Sequence, residues 1–174
     1  MNNDEISLSP NELAFIALTN EYCQVLEQAA AERNQHELTE LMLKLLPRIY
    51  ISANDLIRED VLTDAFIEPR LDETLYDQVR DTIAQVMADE DVYLEVFLDD
   101  MRYSDTPIAT TISENLADLY QEFYNFVNAV QDAPSFLQAE MLMACANNFK
   151  QYWGQTLCNV LRALHCARHN NQDY

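Results

Sequence analysis

The stretch TISENLADLYQEFYNFVNAVQD, residues 111–132, decides what kind of protein this is. Ile112, Leu116, Leu119, Phe123, Phe126 and Val130 recur at steps of three and four, with Ile108 extending the stripe upstream. Glu114, Asp118, Gln121, Asn125 and Asn128 stay mostly off that stripe. This is the period of an amphipathic helix with one buried face. Thr106 or Thr111 can cap its start, with Glu114 three residues after Thr111 completing a capping box, and Asp132-Ala133-Pro134 ends it.

Working outward, the same period recurs on both sides. Downstream, residues 134–169 predict one last long helix with Leu142, Phe149, Trp153, Val160 and Leu164 on its core side. Upstream, Ser9-Pro10-Asn11-Glu12 is a capping box for a first helix over about 10–33. A second helix follows Asn34, with a kink or break expected near Leu46, because Pro47 lacks an amide hydrogen and crowds the Leu43 carbonyl. Residues 60–71 read as a loop, and Asp72 caps a third helix that ends near Met87. Val92 to Leu98 suits strand or helix; a short helix is expected, since no other segment offers a strand partner. Tyr103 to Pro107 is a turn. The fold class is therefore all-α, a single-domain bundle of about six mostly antiparallel helices over residues 1–174, with disordered tails at 1–8 and 170–174.

Composition agrees. A chain of 174 residues with 49% apolar content fills one core, and a single Gly nearly excludes hairpins and Gly-rich phosphate loops. The net charge of −20 opposes nucleic acid and anionic membranes, and favours basic proteins or cations as partners. No apolar run approaches a membrane span and Met1 to Ile6 lacks the basic start of a signal peptide, so a cytoplasmic protein is expected. Cys145, Cys158 and Cys166 lie too far apart on one helix to bridge each other, and free thiols are expected.

The charge is uneven. Residues 1–140 hold 29 Asp and Glu against 7 Lys and Arg, whereas residues 141–174 hold Asp173 against Lys150, Arg162 and Arg168. The last helix also carries the only Trp and the only Gly, and is expected to be the central helix, ringed by acidic neighbours. On a wheel of about 100° per residue, Asn147, Gln151, Gly154, Cys158, Arg162, His165 and His169 share one polar row. A helical Gly costs about 1 kcal/mol relative to Ala, which implies a close approach at Gly154, most commonly by a neighbouring helix.

Several constellations invite chemistry. His165 and His169 are four apart and could share a metal with Cys158, but cationic groups also belong in a last helical turn, and no metal site is assigned. Asp91, Glu95 and Asp99, and again Glu114, Asp118 and Glu122, fall at i, i+4 and i+8. Such rows can hold divalent metal, yet in so acidic a chain a solvated face is the ordinary explanation. No Gly-x-Ser-x-Gly elbow or Cys–His pair provides a nucleophile, so no catalytic residue and no cofactor is assigned.

Leu45-Leu46-Pro47-Arg48-Ile49-Tyr50, Tyr103-Ser104-Asp105-Thr106-Pro107, Ser113 to Tyr120, Tyr152-Trp153-Gly154 and Leu161-Arg162-Ala163-Leu164-His165 occur here in one order. Together they resemble a family of small, acidic, all-helical domains of unknown function from Bacteroidetes bacteria. The resemblance spans nearly the whole chain and brings no activity with it. It puts weight on Tyr103, Asp105, Asp118, Trp153, Gly154, Arg162 and His165 as a ligand-binding or structural polar cluster. Arg162 is expected to pair with Asp105 or Asp118, since a guanidinium is seldom buried alone.

The expected function is a non-enzymatic interaction or regulatory module with a protein partner. The alternatives are a small-molecule or metal-dependent enzyme centred on Asp118, Arg162 and His165, and an acidic decoy that mimics DNA.

Overall fold

The caps of three helices form at residues the sequence offers for them, and Asn34 adds a fourth. Ser9 N–H donates to Glu12 Oε2 at 2.6 Å, Asn34 Oδ1 accepts from the Glu37 amide at 3.0 Å, Asp72 Oδ1 from Leu75 at 2.9 Å and Thr111 Oγ1 from Glu114 at 3.1 Å. In the computed structural model, which describes residues 8–32, 34–58, 63–95 and 107–169, these caps open α1 (Pro10–Glu32), α2 (Gln35–Asn54), α3 (Glu73–Met87) and α4 (Ile112–Asp132). The chain closes with α5 (Ser135–Asn148), a π turn (Phe149–Trp153) and α6 (Gly154–His169), which run on without interruption as one rod. The architecture is a single all-α domain of five rods rather than six. Among the described residues no helix is long and apolar enough to cross a membrane.

The missing helix is the expected short one at Val92. Its described part, β1 (Val92–Leu94), pairs antiparallel with β2 (Ala109–Thr111), Tyr93 opposite Thr110. The ladder is prolonged by Glu95 N–H to Ile108 O at 2.9 Å and Ile112 N–H to Asp91 O at 2.7 Å. Scarcity of glycine does not forbid this pairing, because β1 and β2 lie too far apart in sequence to require a two-residue glycine turn. Ile108 belongs to this hairpin and not to the helical stripe. Buried Asp91 secures the junction: its Oδ1 accepts from the Ser113 amide at 2.8 Å and its Oδ2 from Ser113 Oγ at 2.7 Å. A carboxylate there also meets the positive end of the α4 dipole.

Pro47 does not break α2. Leu45, Leu46, Ile49 and Ala53 around it are buried and α2 packs along α1 and α6, so core burial outweighs the one backbone bond that proline removes.

The hub of the bundle is α4, which touches α1, α3, α5 and α6; the last rod lies to its side and also packs on α2. Their shared core is aromatic. Trp153, fully buried, meets Phe123 edge-on at 5.0 Å, Phe149 at 4.7 Å and Phe15 at 6.3 Å. Buried Tyr22 places its hydroxyl on the Leu116 carbonyl at 2.8 Å. The loop before α3 is tied to the same hub, since Asn125 Oδ1 accepts from the amides of Arg70 at 2.8 Å and Leu71 at 3.0 Å. Of the tails expected to be disordered, Leu8 packs against the core, while residues 1–7 and 170–174 lie outside the described residues.

Candidate functional site: an acidic cleft beside a π turn

The π turn follows from spacing in the core seam. Leu142 to Phe149 is seven residues and Leu157 to Leu164 is seven, but Phe149 to Leu157 is eight, and all four are buried. Seven residues make two helical turns, so the eighth would rotate one half of the rod out of the core by about 100°. A π turn absorbs it. Accordingly Gly154 N–H donates to the Phe149 carbonyl, five residues back, and Trp153 Nε1 donates to the Cys145 carbonyl at 3.2 Å.

The glycine is explained by the same turn. A Cβ at position 154 would lie 2.6 Å from the Phe149 carbonyl oxygen and 2.9 Å from its ring. The close neighbour at Gly154 is therefore its own rod one turn earlier, and not a second helix.

Beside this turn, between α4, the hairpin and the start of α6, a cleft encloses about 330 Å³. Glu114, Asn115 and Asp118 of α4 form one wall, Gln151, Tyr152, Gln155, Thr156 and Asn159 the other, and Glu95 and Thr110 of the hairpin close the end. Asp118 is half-buried and accepts from Tyr76 Oη at 2.7 Å. Burial pushes its carboxyl pKa up, the Tyr76 hydrogen bond opposes this, and Glu114 and Glu95 add to the rise. Glu122, one turn further on, is also raised by burial, against a bond from Asn148 Nδ2 at 3.4 Å.

Two buried amides hold the lining in place. Asn159 Nδ2 donates to Glu95 Oε1 at 3.2 Å, and Asn115 Nδ2 donates to Tyr93 Oη. Tyr152 is 51% exposed, and burial of its remainder together with Asp118, Glu122, Glu114 and Glu95 raises its phenol pKa. The cleft thus concentrates negative charge from the hairpin and α4 around one half-open aromatic ring. A smaller cavity of about 90 Å³ lies elsewhere, lined by Ser9, Glu12, Arg58 and Met143 among others.

The residues singled out from the sequence are dispersed. Asp118 lines the cleft; Trp153 and Gly154 are buried in and beside the π turn that forms its far wall. Arg162 and His165 are exposed on α6 and do not line the cleft. The expected pairing of Arg162 with Asp118 does not form, since Asp118 is held by Tyr76; Tyr103 and Asp105 lie outside the described residues.

The polar row on the last helix survives in part: Gly154, Cys158, Arg162, His165 and His169 all lie on regular α6, Gly154 buried and the other four exposed, whereas Asn147 and Gln151 lie before or within the π turn and are offset by its extra residue. The rings of His165 and His169 do stand together, centroids 4.6 Å apart. Among the described residues, no group of three or more His, Cys, Asp and Glu is arranged to hold a metal ion. The row Asp91, Glu95, Asp99 is not a helical face, since Asp91 and Glu95 flank β1 and Asp99 lies outside the described residues. Glu114, Asp118 and Glu122 do share α4, with the last two half-buried rather than solvated.

Asn115, Tyr152 and Asn159 were missed by sequence reasoning. The eight-residue gap in the core seam was the available signal, as it marks where the rod departs from a uniform wheel.

A crystal structure of protein BF1032 from Bacteroides fragilis is similar, with a TM-score of 0.79 and 29% identity over 95% of this chain and 97% of that one. No curated protein matches. The model of a domain of unknown function, DUF5063, matches residues 6–170, nearly the full length that the sequence resemblance spanned. The chain belongs to the DUF5063 family.

Proposed function

We propose that this protein is a non-enzymatic interaction module of the cytoplasm, and that it receives a cationic group of a protein partner in the cleft walled by Glu95, Glu114 and Asp118. The observation that carries the reading is Asp118. It is a half-buried carboxylate beside other acids, and burial and those acids raise its pKa, so its charged form costs the fold free energy. A cation entering the cleft would relieve that cost. The whole chain, at −20, would draw basic segments towards it at low ionic strength.

A fluorescent peptide of alternating lysine and alanine tests this by anisotropy. Asp118→Asn combined with Glu114→Gln is expected to weaken binding roughly tenfold or more, as losses of hydrogen bonds to charged groups do. Glu140→Gln, which removes one charge on exposed α5, should change it little. If the control weakens binding as much per charge as the cleft variants do, the field of the whole protein is responsible and the cleft is not a site.

A further inference from the structure

The cleft reading leaves open which cations the site takes, and the π turn bears on this. It places neighbouring Gln151 and Tyr152 on the same wall as Gln155, Thr156 and Asn159. Tyr152, Gln155, Thr156 and Asn159 stand at i, i+3, i+4 and i+7, the spacing of one helical face that continues from the turn into α6. The consequence is an aromatic ring, 51% exposed, at the edge of a space bordered by carboxylates.

Carboxylates beside an accessible ring suit a cation that also has apolar surface. Such an ion meets the negative face of the ring as well as the acids. A hard divalent ion gains nothing from the ring and needs oxygen ligands in a tight, nearly octahedral set. The acids here come from the hairpin and from α4, and among the described residues no three are arranged around one ion. At about 330 Å³ the space is also at the scale of small-molecule sites rather than of a bare ion.

Resting on the reading of the cleft as a cation site, we infer that its ligand is an organic cation, an alkylammonium or a guanidinium, and that Tyr152 is the specificity-determining residue that favours it over a metal ion. The charged head lies against Asp118 and Glu114, and the carbon next to it packs on the Tyr152 ring. Gly154 accommodates the turn that carries this ring, since a Cβ there would lie 2.6 Å from the Phe149 carbonyl oxygen.

The test is isothermal titration of the full chain with acetyl-lysine amide, acetyl-arginine amide, spermidine and magnesium chloride. Wild type, Tyr152→Ala, Tyr152→Phe and Asp118→Asn are compared. One or more of the organic probes should bind saturably and magnesium should not. Tyr152→Ala should weaken the organic probes roughly tenfold with circular dichroism unchanged, and Tyr152→Phe, which keeps the ring, should stay close to wild type.

Spermidine binding more tightly than either amide supports the organic-cation assignment and moves the ligand from a partner's side chain to a free amine. If Asp118→Asn abolishes binding and Tyr152→Ala does not, the role of Tyr152 is overturned while the cleft stands. Saturable magnesium binding in preference to the organic probes overturns the ligand class. No binding by any probe overturns both this inference and the cleft reading.

Discussion

Helix α4 and the last rod pack against each other, and their difference locates the site. The first is regular over 21 residues, with a side-chain cap at its start and an uninterrupted apolar stripe from Ile112 to Val130. The last rod has no side-chain cap where it begins at Ser135, contains a π turn, and holds the only Gly and Trp of the chain. A regular helix offers its neighbours a uniform ridge, which packs closed. An irregular one cannot fill every groove, and beside its irregular turn α4 faces a cleft instead of a packed side chain. The comparison teaches that periodicity finds the scaffold, and the departure from it marks where the scaffold opens.

The largest test of this contrast is Trp153→Ala. The side chain is fully buried, touches Phe15, Phe123 and Phe149, and supplies the indole bond to Cys145. Truncation should cost about 3–5 kcal/mol by urea denaturation. It should cost about 1 kcal/mol more than Phe126→Ala on α4, which loses packing but no hydrogen bond. Equal costs would mean that the indole bond does not hold the turn.

Asp91→Ala probes the point where the hairpin is fastened to α4. Loss of two bonds to Ser113 from a buried carboxylate should destabilise by about 2–3 kcal/mol. Amide exchange should then accelerate in β1 and β2 more than in α6. Uniform acceleration would show that the hairpin is no separate unit.

Gly154→Ala should reverse the usual sign. In a regular helix the change stabilises by up to about 1 kcal/mol, but overpacking against the Phe149 carbonyl and ring costs about 1–3 kcal/mol. A net loss of about 1 kcal/mol in thermal or urea denaturation is expected. A gain would show that the turn straightens at no cost and is not fixed by packing.

The smallest effect has the opposite direction. The Asp118 carboxyl is raised in the folded protein by burial and by Glu114 and Glu95, so the folded state holds that proton more tightly than the unfolded chain does. Its charged form therefore costs stability above the raised pKa, and that cost fades as pH falls through it. Asp118→Asn should melt slightly higher than wild type near neutral pH, with the gap closing on mild acidification. A substitution that stabilises the fold while weakening cation binding is the pattern of a functional group. A lower melting temperature at neutral pH would assign Asp118 a structural role through Tyr76.

Much of the scaffold was legible in the sequence. The capped starts of α1, α3 and α4, the stripe of α4 and the extent of the last rod follow from local rules, because a cap needs only its next three residues and a stripe only its own period. The strand at Val92 was not, since its partner at Ala109 lies across a long connection and pairing is a non-local choice. The expected break at Pro47 failed for a related reason, as its cost is local and what outweighs it is burial against α1 and α6. Gly154 was noticed from residue type and Asp118 from its spacing on α4, and the family resemblance grouped Arg162 and His165 with them, although both are exposed and do not line the cleft.

The sequence by itself determined an acidic all-helical bundle and the segments that build it, since composition, caps and hydrophobic period act over a few residues. Only the tertiary structure decided that the last rod takes up an extra residue at Phe149 to Trp153, and that Tyr152 lines one cleft with Asp118, Glu114 and Glu95. The physical reason is that the core must be satisfied from both ends of that rod at once, a constraint set by neighbouring helices and not by any local stretch of chain.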